Sequence, residues 1–231
     1  MNSYPSDDFK DKTIVIKEDA MFDKRHILLG KNHEKYVDKI ILTKGMIIDR
    51  IEALANQIVR DFSDRKVFLL CVMKGAITFN AVLSEKITNI LKNDVKNSLN
   101  MDFQCEYISI SSYENDQTTG EVKIKQDEKI LEPLRGHDVI IVEDIYDSGL
   151  TMIALINFLR KFEPLSISTA VLFQKMNLRH LQLKYSINYL GFLIPNEFVI
   201  GFGLDYNEEF RTLDHLCSIN QQGIDRFKIK K

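Results

Sequence analysis

The chain has 231 residues, of which 45% are hydrophobic and 28% are charged, a balance typical of a globular domain with a substantial core. A formal net charge of −2 argues against a basic surface for nucleic acid or an anionic membrane. The 3 cysteines are widely spaced and indicate neither a disulfide framework nor a zinc site, and no apolar run approaches the length of a membrane span.

The predicted elements begin after a polar N-terminal stretch. Residues 1–12 carry no hydrophobic signal segment, so we expect a mobile tail on a cytoplasmic protein, with residues 13–231 forming one domain. Apolar residues at helical spacing predict helices over Lys44–Asp64 and Ala76–Leu91. The apolar run Val67–Met73 between them predicts a buried strand.

A long hairpin is predicted next. Phe103–Ile110 alternates apolar and polar residues and predicts a strand, and Val122–Ile124 predicts a returning strand. The polar segment 111–120 between them is rich in turn-forming residues. We therefore expect a flap over about 107–125 whose tip acts as a lid.

The second half of the chain alternates strands with a helix. Strands are predicted at Val139–Val142, Ile167–Phe173, Tyr189–Ile194 and Phe198–Leu204, with an apolar helix after the first. This order predicts an α/β fold with a mostly parallel sheet, in which ligands bind beyond the carboxyl ends of the strands. Polar groups follow three of the predicted strands and point to one site: Lys74-Gly75, Glu143-Asp144 and Asp205.

The segment GHDVIIVEDIYDSGLT (136–151) holds the clearest functional pattern. A short apolar strand ends in two acids, and a polar loop then leads into an apolar helix. The unpaired amides at the start of a helix bind anions. The segment therefore predicts a phosphate site formed by Asp147, Ser148, Gly149, Leu150 and Thr151.

The acids Glu143 and Asp144 lie beside this predicted phosphate site, where unpaired carboxylates repel an anion. A ribose with its 2′ and 3′ hydroxyls, held with Mg²⁺, satisfies both groups, so the pattern favours a ribose phosphate over a nucleoside triphosphate. The loop also lacks the glycine spacing and Lys-Ser/Thr ending of a Walker loop. Acids at a strand end before a polar helix cap also occur without a ligand, and the residues alone leave that alternative open.

VEDIYDSGLT resembles the phosphoribosyl-pyrophosphate (PRPP) signature of the type I phosphoribosyltransferases. Further segments resemble the hypoxanthine-guanine branch in order and spacing: LCVMKGAITFNAVL (70–83), SYENDQTTG (112–120), LFQK (172–175) and FVIGFGLDYNEEFRTLDH (198–215). The likeness runs from about Tyr36 to about Phe227 and is that of a somewhat divergent member. It implies the type I fold, with a mostly parallel central sheet flanked by helices, the flap, and a small hood from the N-terminal segment and residues about 175–231.

The resemblance implies roles for the residues around the ribose and the pyrophosphate. Asp147 matches the acid that handles the proton on purine N7. Glu143 and Asp144 match ribose-binding groups that hold Mg²⁺ together with Asp205. Pyrophosphate and flap contacts are implied for Lys74, Gly75, Arg211, Ser112 and Tyr113, with a cis peptide bond between Met73 and Lys74.

The resemblance also implies a purine pocket. Phe198 matches the aromatic that stacks on the base, the Val199 backbone meets the exocyclic group, Lys175 donates to the 6-oxo oxygen, and Asp205 lies at the same pocket. Without the resemblance, four of the site residues have an ordinary alternative. Phe198 is then a core residue, Lys74 a surface lysine, Asp147 a helix cap, and Arg211 half of a surface ion pair with Glu208.

Several positions depart from the family pattern. Leu150 stands where many members have lysine, and Tyr146 replaces a usual isoleucine beside the predicted catalytic acid. Ser109 and Ser111 precede the flap where arginine and lysine are usual, and Thr212 stands where an aspartate is usual. These changes leave the implied reaction intact but bear on substrate affinity and base preference.

The sequence thus predicts a Mg²⁺-dependent enzyme of purine salvage that converts hypoxanthine or guanine and PRPP to IMP or GMP and pyrophosphate. Its expected partners are the small-molecule substrates, a 6-oxopurine and PRPP, and a second or further copies of the chain in a homodimer or homotetramer. Neither nucleic acid nor a membrane is expected. The alternatives are a PRPP-binding regulatory protein of the same fold, and an orotate or adenine enzyme, which would lack the combination of Lys175 and Phe198.

Overall fold

The structure is a computed structural model that describes residues 13–95, 98–112, 122–124, 127–176 and 186–229. The predicted tail and the tip of the predicted flap, including Tyr113, lie outside these residues. In chain order the strands are β1 (Ile14–Val15), β2 (Val37–Leu42), β3 (Lys66–Met73), β4 (Asp102–Ser112), β5 (Val122–Ile124), β6 (Asp138–Tyr146), β7 (Ser166–Lys175), β8 (Tyr189–Ile194), β9 (Val199–Ile200) and β10 (Leu216–Ile219). The α-helices are α1 (Lys44–Asp61), α2 (Ile77–Asn93), α3 (Glu128–Leu131), α4 (Leu150–Leu159) and α5 (Gln221–Phe227).

The central sheet has seven strands in the order β1-β8-β7-β6-β3-β4-β5. All neighbours run parallel except β5, which pairs antiparallel with β4. This confirms the predicted α/β fold with a mostly parallel sheet. A second sheet of three antiparallel strands, β2-β10-β9, joins an N-terminal segment to the C-terminal part of the chain.

The central strand β6 shows how helices come to cover both faces of the sheet. Successive side chains of a strand point to opposite faces. Ile140 and Val142 therefore pack with residues of α1 and α2, while Val139 and Ile141 pack with residues of α4. This layering leaves the carboxyl ends of β3, β6 and β7 side by side at one edge of the sheet.

Strand β6 is longer than the sequence predicted. It continues through Tyr146, so Glu143 and Asp144 lie inside the strand instead of following it. The extension is stable because Glu143 pairs with Val171 of β7, and the pairing continues to Tyr146. A stretch that contains two acids still forms a strand where its backbone has a neighbour on the sheet.

The predicted strand Phe198–Leu204 is wrong beyond Ile200. Gly201, Phe202 and Gly203 have φ values of +93°, +50° and +100°, which an extended strand does not adopt. The backbone turns there, and the Leu204 N–H donates to the Gly201 carbonyl at 3.0 Å. Strands β2 and β10 of the second sheet were not predicted at all.

Candidate active site

Glu143 and Asp144 form a buried acid pair, with only 8% and 7% of their surfaces exposed. The Ile145 N–H donates to Asp144 Oδ1 at 2.9 Å. Within the described part of the chain, the buried Glu143 Oε2 has no hydrogen-bond partner. Burial raises the pKa of Glu143 well above its ordinary value, and the Asp144 carboxylate adds to this. Burial also raises the pKa of Asp144, while Arg211 acts in the opposite direction.

Residues 147–151, here called the phosphate loop, comprise the turn after β6 and the first two residues of α4. Gly149 has φ +75° and forms the N-cap of α4 without a side-chain hydrogen bond. Among the described residues, only Ser148 Oγ accepts from the first amides of α4, in a 3.4 Å contact from the Leu150 N–H, so the amides can bind an anion. A concavity of about 230 Å³ opens at this loop, lined by Glu143, Ile145, Tyr146, Asp147, Ser148, Gly149, Thr151 and Met152. Leu150 does not line it, and this residue is about half exposed.

Lys175 and Asp147 meet at the ends of neighbouring strands. Tyr146 of β6 pairs with Gln174 of β7, which brings the next residue of each strand together. Lys175 Nζ donates to Asp147 Oδ2 at 2.9 Å. The lysine side chain is 14% exposed and the aspartate side chain 62%, so the carboxylate faces solvent while its cation is mostly covered. The structure thus places a carboxylate beside a cation at the rim of the phosphate loop.

Gly75 and Gly203 allow three chain segments to meet at the acid pair. The Met73–Lys74 peptide bond is cis, as the resemblance implied. A Cβ added at Gly75 would overlap the Asp144 carboxylate, and one added at Gly203 would overlap the Gly75 carbonyl oxygen. The backbone after β3 therefore lies directly on Asp144, and the backbone after β9 lies directly on that of Gly75.

Residues 201–211, here called the second-sheet loop, place Arg211 beside an acid. Arg211 Nη1 donates to the Gly203 carbonyl at 2.9 Å. Arg211 Nη2 lies 2.8 Å from Asp205 Oδ1 but 3.5 Å from Glu208 Oε1. The ion pair between Arg211 and Glu208, which was the ordinary alternative for this arginine, is therefore present. It is the longer of the two contacts.

Glu208 links the second-sheet loop to the segment after β3. Its carboxylate accepts from Lys74 Nζ at 3.0 Å, and both side chains are well exposed. The hydrogen bond from Lys74 lowers the pKa of Glu208, and Arg211 adds to the effect. The described residues thus bring the predicted pyrophosphate groups Lys74, Gly75 and Arg211 together with Asp144 and Asp205.

Phe198 lies just before β9 and is 51% exposed. Its ring packs edge-on against Tyr206, with the centroids 5.4 Å apart. The alternative of a core phenylalanine is therefore wrong. Val199 is buried, and its backbone pairs with Ser218 of β10. Phe198 thus keeps a free ring surface on which a flat ligand can stack.

The acids of the site meet only part of the requirements of a metal ion. Among the described residues, no group of three or more His, Cys, Asp or Glu side chains is arranged to hold a metal ion. Glu143, Asp144 and Asp205 are therefore not gathered into an all-protein set of three ligands. Mg²⁺ is usually held by one or two carboxylates together with substrate oxygens. The unpaired oxygen of Glu143 fits that partial kind of site.

The positions that depart from the family pattern lie at the borders of the site. Ser109 is exposed and pairs in register with Met73, directly before the cis peptide bond. The backbones of Ser111 and Ser112 pair with β5 at the base of the flap. Thr212 is exposed and directly follows the second-sheet loop.

Three residues of the site were missed by the sequence reasoning, or noted only as an ordinary alternative. Gly203 packs on Gly75, Glu208 binds Lys74, and Tyr206 packs on Phe198. Gly203 lies within the predicted strand Phe198–Leu204, and Tyr206 and Glu208 follow shortly after it. The two glycines at 201 and 203 were the available signal, since glycine inside an apolar run marks a bend or a close backbone approach.

Comparisons with known proteins agree with this geometry. The chain matches the phosphoribosyl transferase domain family over residues 39–207. The hypoxanthine-guanine-xanthine phosphoribosyltransferase of Plasmodium falciparum is 34% identical over 215 residues, covering 93% of this chain and 91% of that protein. Human phosphoribosyltransferase domain-containing protein 1 is 40% identical over 194 residues, covering 84% and 83%.

A solved structure supports the same assignment. The hypoxanthine-guanine phosphoribosyltransferase of Schistosoma mansoni in complex with IMP superposes with a TM-score of 0.76 at 26% identity, covering 94% of this chain and 99% of that one. In the described part of this chain, none of the helices is long and apolar enough to cross a membrane. From its fold, its phosphate loop and these relatives, the chain belongs to the phosphoribosyltransferase family, as a divergent member similar to the hypoxanthine-guanine phosphoribosyltransferases.

Proposed function

We propose that the protein is a Mg²⁺-dependent phosphoribosyltransferase of purine salvage that converts hypoxanthine or guanine and PRPP to IMP or GMP and pyrophosphate. The observation that carries this proposal is the contact between Lys175 and Asp147 at the phosphate loop. A donor for a 6-oxo oxygen and an acceptor for a ring proton lie side by side there. This spacing suits the O6 and N7 edge of a 6-oxopurine.

The phosphate loop binds the 5′-phosphate of PRPP through the amides at the start of α4. Glu143 and Asp144 accept hydrogen bonds from the ribose hydroxyls next to it. The orphan oxygen of Glu143 and the carboxylate of Asp205 are the groups that would hold Mg²⁺ with the substrate's own oxygens. When bound, Mg²⁺ neutralises charge that develops on the departing pyrophosphate.

The purine lies over Phe198, whose ring is half exposed, and Lys175 donates to its 6-oxo oxygen. Asp147 takes the proton from N7 as the new bond to the ribose C1′ forms. The pyrophosphate leaves from the other side of the ribose, where Lys74, the Gly75 amide and Arg211 receive it. The transition state has oxocarbenium character, so the nearby carboxylates stabilise the positive ribose.

A turnover assay with each purine tests this function. Purified protein with PRPP and Mg²⁺ is given hypoxanthine, guanine, xanthine or adenine, and nucleotide formation is followed by absorbance. We expect turnover with 6-oxopurines and at least about 100-fold less with adenine, because the Lys175 ammonium has no acceptor for an amino group. Removal of Mg²⁺ with a chelator should abolish turnover, and added Mg²⁺ should restore it. Comparable adenine turnover would overturn the base assignment.

A regulatory PRPP-binding protein is the second candidate. It is favoured by the 40% identity to a relative whose name specifies the domain without an activity. The same assay separates the two, since a regulator binds PRPP without forming nucleotide. The presence of both Asp147 and Lys175 at bonding distance favours the enzyme.

The enzyme is proposed to act as a homodimer or homotetramer. Light scattering coupled to size-exclusion chromatography measures the mass directly. A mass equal to that of one 26.8 kDa chain would reject this part of the proposal.

A further inference from the structure

Tyr146 is the last residue of β6, immediately before the predicted catalytic acid. Only 3% of its surface is exposed, and its ring packs in the core with Met152 and Leu155 of α4. The family pattern usually has an isoleucine at this position. Compared with isoleucine, the tyrosine side chain is longer and ends in a hydroxyl group.

The hydroxyl of Tyr146 reaches the phosphate loop. A Cβ added at Gly149 would overlap Tyr146 Oη, so the hydroxyl lies against the Gly149 backbone. Tyr146 also lines the concavity of about 230 Å³ that Ser148, Gly149 and Thr151 enclose. The end of the ring is therefore at the wall of the space where the phosphate loop holds its anion.

The hydroxyl is available as a donor. Within the described ranges, no residue forms a hydrogen bond with it, although a tyrosine hydroxyl in a buried position usually finds a partner. A tyrosine hydroxyl keeps its proton at neutral pH, so it can donate a hydrogen bond. A neutral donor suits this wall because the carboxylates of Glu143 and Asp147 line the same concavity and repel an anion.

We propose that the Tyr146 hydroxyl donates a hydrogen bond to the 5′-phosphate of PRPP. This inference rests on the proposed function and adds a side-chain donor to the amides of the phosphate loop. The addition matters in this chain because Leu150 stands in the loop where many relatives have a lysine. Tyr146 is then a specificity residue for the phosphorylated end of the substrate.

The test is the substitution Tyr146→Phe, which keeps the ring and removes only the hydroxyl. Binding of ribose 5-phosphate and of pyrophosphate is measured separately by calorimetry, with Mg²⁺ present in both titrations. We expect ribose 5-phosphate to bind about fivefold more weakly, the effect of one neutral hydrogen bond, and pyrophosphate to bind as before. The PRPP KM should rise by a similar factor while kcat stays nearly constant.

Tyr36→Phe is the matched control, because Tyr36 is also buried but packs in the second sheet against Phe210 and Phe227. It should change neither affinity. A second variant, Tyr146→Ile, should lose ribose 5-phosphate affinity as Tyr146→Phe does, since it also lacks a donor.

Unchanged ribose 5-phosphate affinity in Tyr146→Phe would overturn the inference and leave the proposed function standing. An equal loss for ribose 5-phosphate and pyrophosphate would also overturn it, because it would mean a general disturbance of the site. If the wild-type protein binds neither ribose 5-phosphate nor PRPP, the proposed function fails as well.

Discussion

The phosphate loop and the second-sheet loop both contribute to the candidate site, but they are built in different ways. In the phosphate loop only Gly149 has a positive φ, and α4 follows at once. In the second-sheet loop six residues have a positive φ, namely Gly201, Phe202, Gly203, Asn207, Glu208 and Phe210. Four of these six are not glycine.

Residues other than glycine adopt such values only where their surroundings hold them. Phe202 and Phe210 are buried at 3% and 2% exposure, and the Phe202 N–H donates to the Leu213 carbonyl at 2.7 Å. The shape of the second-sheet loop therefore depends on residues outside it, among them Gly75 far away in the chain, while that of the phosphate loop is mostly local. We expect substitutions in the second-sheet loop to act first on folding, and those in the phosphate loop to act first on chemistry.

The largest effect is expected for Gly203→Ala. The new methyl group meets the Gly75 carbonyl at a residue with φ +100°, so both strain and overlap oppose the native backbone. The free energy of unfolding should fall by about 3 kcal/mol or more, measured by denaturant titration. Gly136→Ala is the control, because φ is +70° there and nothing lies within 4 Å of the added Cβ. It should cost about 1 kcal/mol, and equal losses would mean that the contact with Gly75 is unimportant.

Asp147→Asn should lower kcat by about 10²-fold while leaving the fold and PRPP binding nearly intact, because positioned acid–base catalysis contributes about that much. Steady-state kinetics and a PRPP titration measure the two quantities. Asp214→Asn makes the same change in an exposed pair with Lys44 and should leave kcat as it is. Turnover equal to wild type in Asp147→Asn would remove this residue from the mechanism.

Glu143→Gln should stabilise the ligand-free protein near neutral pH while abolishing activity. Because the folded-state pKa of Glu143 is raised, its contribution to stability is present below the unfolded pKa of about 4.3 and is lost as pH rises through the folded pKa. The variant should therefore show a flatter profile of stability against pH and a Tm about 3 °C higher. Glu85→Gln, at an exposed position of α2, serves as the control. A lower Tm in Glu143→Gln would contradict the prediction.

The smallest effect is expected for Glu208→Gln. Its pair with Lys74 is exposed, and exposed pairs contribute little. The variant frees Lys74 for the pyrophosphate, so pyrophosphate should bind about twofold more tightly at low salt, and the gain should vanish at high salt. Calorimetry at two salt concentrations measures this, with Glu209→Gln as the control. A tenfold loss of affinity would show that Glu208 supports the site.

The same contrast explains which parts were predictable from the sequence. An apolar stripe at helical spacing predicts helices α1 and α2. The phosphate loop is predicted by one local pattern, in which a strand, two acids, a glycine and a helix start follow one another. The run Phe198–Leu204 has the apolar content of a strand, yet contacts with Gly75 and Leu213 decide its backbone. Strand β10, which was not predicted, has only four residues, too few for a periodic signal.

The stacking of Gly203 on Gly75, and of Gly75 on Asp144, limits how this site can be altered. Neither glycine has room for even one additional carbon atom. An engineer who wished the enzyme to accept a different sugar or base would gain nothing by varying these two positions. Substitutions that alter substrate choice are better placed at the exposed edge of the site, where Leu150 and Phe198 are 48% and 51% exposed.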